Sequence, residues 1–176
     1  MPCFVVVTGL PASGKSTLAR QLSDALTLPL LDKDEILEGL FDHHGIGDGA
    51  HRSALSRVAD KELEARAMSL PGAVLVSWWR HPRSLVDSGT PTQWLASLSA
   101  PCVELHCRCD PEVAVDRFFA RARHPGHLDA LKDRHQELAR FRELALLGPL
   151  GLPTHIGIDA GKSVDIERVM GELARA

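Results

Sequence analysis

Hydrophobic and polar positions follow one another along this chain in blocks of two kinds. Short runs of β-branched and apolar residues are each followed by a longer stretch in which apolar residues return every three or four positions. Residues 3–8, Cys-Phe-Val-Val-Val-Thr, read as a strand buried on both faces and closed by Gly9. Beyond Lys15 the apolar Leu18, Ala19, Leu22, Ala25 and Leu26 predict an amphipathic helix that Pro29 ends. Leu28–Leu31 predicts a second strand running into Asp32-Lys33-Asp34, followed by a helix over Glu35–Phe41 and a loop over His43–Gly49. Residues 50–69 predict a helix with Leu55, Val58, Ala59, Leu63 and Ala67 on its inner side. Pro71-Gly72 breaks it, and Ala73–Trp78 predicts the third strand.

Thr90-Pro91 combines a capping hydroxyl with a proline suited to a first helical position, so a short helix through Leu98 is expected. Val103–Cys107 predicts a fourth strand. Asp110-Pro111 then caps a helix whose apolar face takes in Val113, Val115, Phe118 and Phe119, interrupted at Arg123–His127. A helix over about 129–147, a Gly148–Pro153 loop, a strand near His155–Ile158 and a helix from Ser163 complete the pattern. Strands alternating with helices imply parallel pairing through right-handed crossovers, hence a three-layer α/β sandwich.

Composition narrows the picture without changing it. The 176 residues, 44% hydrophobic and 24% charged, fit a single globular domain over 1–176. With 20 basic and 23 acidic side chains the net charge is −3, so no global positive field draws the chain to nucleic acid or to an anionic membrane. Any contact with a polyanion must be local. Arginine dominates the basic residues and supplies planar, bidentate phosphate ligands. No apolar stretch nears the roughly 20 residues that cross a bilayer, and the N-terminus lacks the pattern of a secretion signal, so the cytoplasm is expected. Cys3, Cys102, Cys107 and Cys109 read as reduced thiols, and Cys107-Arg108-Cys109 is not a structural zinc spacing.

Gly9-Leu10-Pro11-Ala12-Ser13-Gly14-Lys15-Ser16 satisfies G-x-x-x-x-G-K-[ST] at each fixed position, with Thr17 after it, between the strand and helix the motif requires. Its glycines let the backbone curl so that amides point at phosphate oxygens, and the helix start adds positive potential. Lys15 is expected to bridge the β- and γ-phosphates of ATP, and the Ser16 hydroxyl to ligate Mg²⁺. Phosphoryl transfer to an alcohol also needs a group that aligns the hydroxyl and takes its proton. Asp34 is the candidate base. Asp32 lies two residues earlier, so on an extended segment both carboxylates would point the same way, with Asp32 available to a Mg²⁺-bound water. Capping of the helix at Glu35 is the structural alternative for Asp34.

Gly9–Thr17 together with Asp32-Lys33-Asp34-Glu35-Ile36 resembles the small P-loop kinases, a group with shikimate kinase, chloramphenicol phosphotransferase, polynucleotide kinase and the zeta-toxin-like ATPases. The resemblance implies a five-stranded parallel sheet in the order 2-3-1-4-5 with a helical lid over about 117–130. It also implies that Asp34 acts on the acceptor hydroxyl and that Asp32 serves Mg²⁺. Ser77-Trp78-Trp79-Arg80 stands where shikimate kinases carry a glycine triplet, which speaks against shikimate. Leu37 stands where polynucleotide kinases carry an arginine, and the third strand lacks a Walker B aspartate.

The acceptor pocket is expected beside the ends of strands two and three, with Trp79 stacking, Arg80 binding the acceptor and Arg52 covering the site along with His43, His44 and His51. Arg117 and Arg121 share a helix face, with Arg123 beyond them and His124-Pro125-Gly126-His127 as a hinge or loop. This segment resembles a kinase lid, which assigns Arg121 to phosphate and Arg117 to phosphate or adenine. The Asp159–Asp165 loop matches the segment bordering adenine in the group, with Gly161 permitting close approach. The expected function is an ATP-dependent O-phosphotransferase acting on a small hydroxylated molecule. A polynucleotide 5′-hydroxyl kinase and a nucleotide-binding regulatory module are the alternatives; net charge and Leu37 disfavour the nucleic acid.

Overall fold

A computed structural model describes residues 4–161 and 163–175; Cys3 and Lys162 lie outside them. Five parallel strands form one sheet in the order β2-β3-β1-β4-β5. They are β1 (Phe4–Gly9), β2 (Leu30–Asp32), β3 (Ala73–Val76), β4 (Cys102–Arg108) and β5 (Thr154–Asp159). Helices α1 (Lys15–Leu26), α2 (Lys33–His44), α3 (Gly49–Met68), α4 (Pro111–Ala120), α5 (Arg134–Leu147) and α6 (Ile166–Leu173) flank it. This is the expected three-layer sandwich.

The central strand β1 shows why the layers hold. Its Phe4 and Val6 face the core formed with α2 and α3, while Val5 and Val7 face the core formed with α1 and α6. Alternation along a strand buried on both faces requires that double supply of apolar side chains. A third cluster joins Leu10 to Ala114, Val115, Phe118 and Phe141, so α4 and α5 are anchored on the turn that leaves β1. In register, β1 runs beside β3 from Phe4–Ala73 to Val7–Val76 and beside β4 from Phe4–Cys102 to Gly9–Cys107. The strand ends that carry Gly9, Asp32 and Val76 therefore lie along one edge.

Several boundaries differ from the sequence expectation for local reasons. Helix α2 starts at Lys33 because the Asp32 side chain accepts the Asp34 amide, 2.9 Å away, as its N-cap. Asp34 thus sits in the first helical turn, and strand alternation does not relate it to Asp32. The short helix is a 3-10 segment over Gln93–Ser97, since Thr90 is occupied in pairing with Trp78 and Arg80. Asp133 and Asp165 cap α5 and α6 later than the apolar periodicity suggests. Val58, Val113 and Phe119 are exposed; the buried face of α4 is Ala114, Val115 and Phe118.

The His124–His127 segment is not a loose hinge. It forms a 3-10 turn that grips one side of α2: His124 bonds Asp42 and stacks on Phe41, while His127 bonds Glu38 and meets Phe41 edge-on. A Cβ at Gly126 would lie 2.4 Å from the Phe41 ring, so only glycine fits the contact as built.

Candidate active site

The turn after β1 is shaped by two glycines with different constraints. Gly9 has φ +132 and a Cβ there would lie 2.4 Å from the Cys107 carbonyl, so β4 leaves it no side chain. Gly14 has φ +97 and opens onto free space at the head of α1. Left-handed backbone is accessible to glycine at little cost, and the concave turn depends on it. Ala12 also takes a left-handed conformation, φ 58. Pro11 has no N–H to offer, and the Ser13 amide closes the turn on the Leu10 carbonyl at 3.2 Å. Its hydroxyl is buried and unpartnered. Ser13 thus shapes the turn through its amide. The amides of Gly14, Lys15, Ser16 and Thr17 head the helix, where no intrahelical acceptor reaches the first turn.

Lys15 Nζ lies 3.0 Å from the Gly9 carbonyl and 2.6 Å from that of Leu10. Burial pushes its pKa down to about 8, against the pull of Cys107, Asp34 and Asp32. Opposite, the Asp32 carboxylate is pushed up to about 6 by burial and by the Asp34 charge, while hydrogen bonds from the Asp34 amide and the Ser16 side chain oppose the shift. Asp34 is half-exposed and bound by Arg123, which also lies 3.1 Å from Asp129. Burial alone would raise the Asp34 pKa; Arg123, then His127 and Lys15, outweigh it and hold the carboxyl below its ordinary value.

These groups line a cleft of about 320 Å³ between the turn after β1 and the 117–130 segment expected to act as a lid. Arg117 and Arg121 both reach it, as the sequence expects. Arg117 donates to the Ala160 carbonyl at 3.2 Å, and Arg121 lies 4.7 Å over the Phe118 ring and 3.8 Å from Asp129. Gly161 stays outside the cleft lining, its amide donating to Asp159 at 3.1 Å. Arg123, Lys132, Arg140 and Trp78 also line the cleft and were not singled out as site residues by the sequence.

A second cavity of about 190 Å³ adjoins the cleft at Asp34, Arg52, Ser77 and Trp78. Arg80 lines it, 2.5 Å from Asp87, and Arg52 donates to the His127 carbonyl at 3.1 Å. Trp79 does not. It is buried, donates to the Val7 carbonyl at 2.9 Å and packs 6.0 Å from Trp94. β3 ends at Val76, two residues before the expected end, so strand alternation does not decide which tryptophan turns outward. Trp78 takes the place expected of Trp79, with the Arg140 guanidinium 4.6 Å over its ring. His43 and His44 are exposed and line neither space.

A family model described as an AAA domain matches residues 4–144. The chain belongs to the AAA-domain family. Within it, 62 residues of this AAA-domain chain are 46% identical to shikimate kinase of Corynebacterium glutamicum, covering 35% of each protein. The match thus spans about a third of the length of the curated relatives. A candidate kinase from Chloroflexus aurantiacus superposes with a TM-score of 0.80 at 26% identity, over 99% of this chain and 97% of that one. A sugar kinase from a Janibacter species shares the fold at a TM-score of 0.62 and 22% identity, over 99% and 95%. Shikimate kinase from Bacteroides thetaiotaomicron does so at 0.57 and 17%, over 99% and 96%. The AAA-domain chain has the P-loop kinase architecture. Among its described residues, no helix is long and apolar enough to cross a membrane.

Proposed function

We propose that this protein is an ATP-dependent O-phosphotransferase that moves the γ-phosphoryl group of ATP to a hydroxyl of a small molecule. The observation that carries the reading is the place of Asp34. Its carboxylate lines both the cleft that holds the phosphate loop and the cavity beside it, so one group borders the space for a donor and the space for an acceptor. In this reading the amides at the head of α1, with Lys15, hold the β- and γ-phosphates, and Arg117 and Arg121 cover the nucleotide. Asp34 aligns the acceptor hydroxyl and takes its proton, and its lowered pKa keeps it ionised at neutral pH. Arg123 holds that carboxylate in place.

The donor set beside the loop suits Mg²⁺. Ser16 and Asp32 offer hard oxygen ligands, and Asp32 is a buried carboxylate whose charge gains from a cation. Ser16 and Asp32 are the residues that would hold the ion, which supplies charge neutralisation on the phosphates when bound. The test is Asp34→Asn. Acceptor-stimulated ADP formation is expected to fall by about 10²-fold with ATP affinity retained. Full activity in the variant, or ADP formation that no acceptor stimulates in the unmodified protein, would overturn the reading.

A further inference from the structure

The cleft and the cavity beside it divide their charge unequally. Among the described residues, seven cations and two carboxylates line the cleft, an excess that suits a triphosphate. Four cations and three carboxylates line the cavity. Two of the four cations there are paired with carboxylates of the same cavity. Lys33 Nζ lies 2.5 Å from Asp60 and 3.0 Å from the Ser56 hydroxyl, with both charged side chains largely buried. Arg80 is paired with Asp87. Arg52 gives its Nε to a carbonyl and sits in the field of Asp129 and Asp34. Arg57 is exposed at the rim.

We propose that the acceptor is an uncharged sugar or polyol, bound in this cavity by the Lys33–Asp60 pair with Ser56 and by the Arg80–Asp87 pair, with Trp78 as the apolar wall. The proposal rests on the phosphotransferase reading and names the substrate class of that same site. A hydroxyl group both donates and accepts, and a cation beside a carboxylate offers both partners, so each pair can bridge adjacent hydroxyls of a polyol. A carboxylate or phosphate on the acceptor meets different conditions. Its attraction to Lys33 or Arg80 is already answered by Asp60 or Asp87, and it adds repulsion from those groups and from Asp34. Trp78, whose ring carries the Arg140 guanidinium 4.6 Å away, and Leu37 supply apolar lining for C–H groups of a ring in a cavity otherwise rich in serine and charge.

In the reaction, the acceptor oxygen forms a bond to the γ-phosphorus and the bond from that phosphorus to the β–γ bridging oxygen breaks. Its electron pair leaves with ADP, and the hydroxyl proton passes to Asp34.

The test measures ADP formation by the full chain with ATP and Mg²⁺ against matched acceptors. Hexoses and inositols are set beside uronates, aldonates and hexose phosphates, with nucleosides and 5′-hydroxyl oligonucleotides as a third arm. The expected result is a kcat/KM for the best uncharged polyol at least about tenfold above its anionic counterparts. Ser56→Ala, a mild change in folding terms, is expected to raise the polyol KM several-fold and the ATP KM less. Turnover confined to anionic acceptors, nucleosides or oligonucleotides overturns the polyol assignment and leaves phosphotransfer standing. An unchanged polyol KM in Ser56→Ala overturns the placement in this cavity. ATP binding without stimulation by any acceptor class overturns the phosphotransferase reading, and the proposal with it.

Discussion

The phosphate loop and the lid both present cations to the same cleft, but they are held by different means. In the loop, Lys15 bonds the carbonyls of Gly9 and Leu10, six and five residues away, and the backbone is fixed by glycine conformations and a turn. In the lid, Arg123 meets Asp34 across 89 positions of sequence, and the 124–127 turn is tied to α2 by three side chains of one helical face, Glu38, Phe41 and Asp42. The backbone of the loop is therefore set mainly by glycine conformations and bonds between near neighbours in sequence. The lid geometry is a sum of long-range contacts, each of which matters to the position of the others.

That contrast sets the order of expected effects. Lys15→Ala removes the one lysine inside the cradle, and acceptor-stimulated ADP formation should fall by at least about 10²-fold, as measured in a coupled assay. A loss below tenfold would mean the lid arginines, not the loop, supply the main charge stabilisation. Arg123→Ala frees Asp34 from the guanidinium that holds its carboxyl down, so the carboxyl keeps its proton to higher pH. The acid limb of the kcat/KM profile should move to higher pH, with roughly tenfold loss of rate near the limb. A limb that stays in place would break the Asp34 assignment.

Gly126→Ala forces a methyl onto the buried Phe41 ring, and overpacking of this kind costs about 1–3 kcal/mol, or a Tm lower by roughly 5 °C. Gly14→Ala meets no neighbouring atom, so its cost is backbone strain alone, without overpacking, and should lower Tm less than Gly126→Ala while weakening nucleotide affinity through the displaced amides. Equal Tm losses in the two variants would erase the distinction between local and long-range support. The smallest effect concerns Asp32. Its carboxyl is raised to about 6 from 3.8, so the folded chain binds more protons than the unfolded chain between those values, and stability falls as pH rises through that window. Asp32→Asn should flatten that part of the Tm–pH curve recorded without Mg²⁺.

The same contrast explains what could be read from the sequence. The strands and the turn after β1 were legible from five apolar runs and a loop motif whose fixed positions sit within eight residues, because backbone geometry there is dictated by neighbours in sequence, whereas the strand order came with the resemblance to the small P-loop kinases. Asp34 was legible as the second acid of Asp-Lys-Asp, although its helical position was not, since the cap that starts α2 is Asp32. Arg123 stood in the sequence as an arginine just beyond a helix. Its weight comes from an ion pair with Asp34 that no spacing rule encodes. The choice between Trp78 and Trp79 failed for a related reason. Strand alternation stops at Val76, and the bridge from Trp79 to Thr90 then sets which indole turns inward. The histidines at 124 and 127 resembled a flexible hinge because proline and glycine lie between them, yet ring packing on Phe41 fixes that turn.

Trp78 borders three spaces at once: the cleft over the phosphate loop, the cavity beside Asp34 and a smaller hollow of about 140 Å³ behind Gly9 and Leu10. It acts as a party wall. Trimming or enlarging the side chain at this one position would redraw three rooms together while leaving the backbone of the turn after β1 as it is.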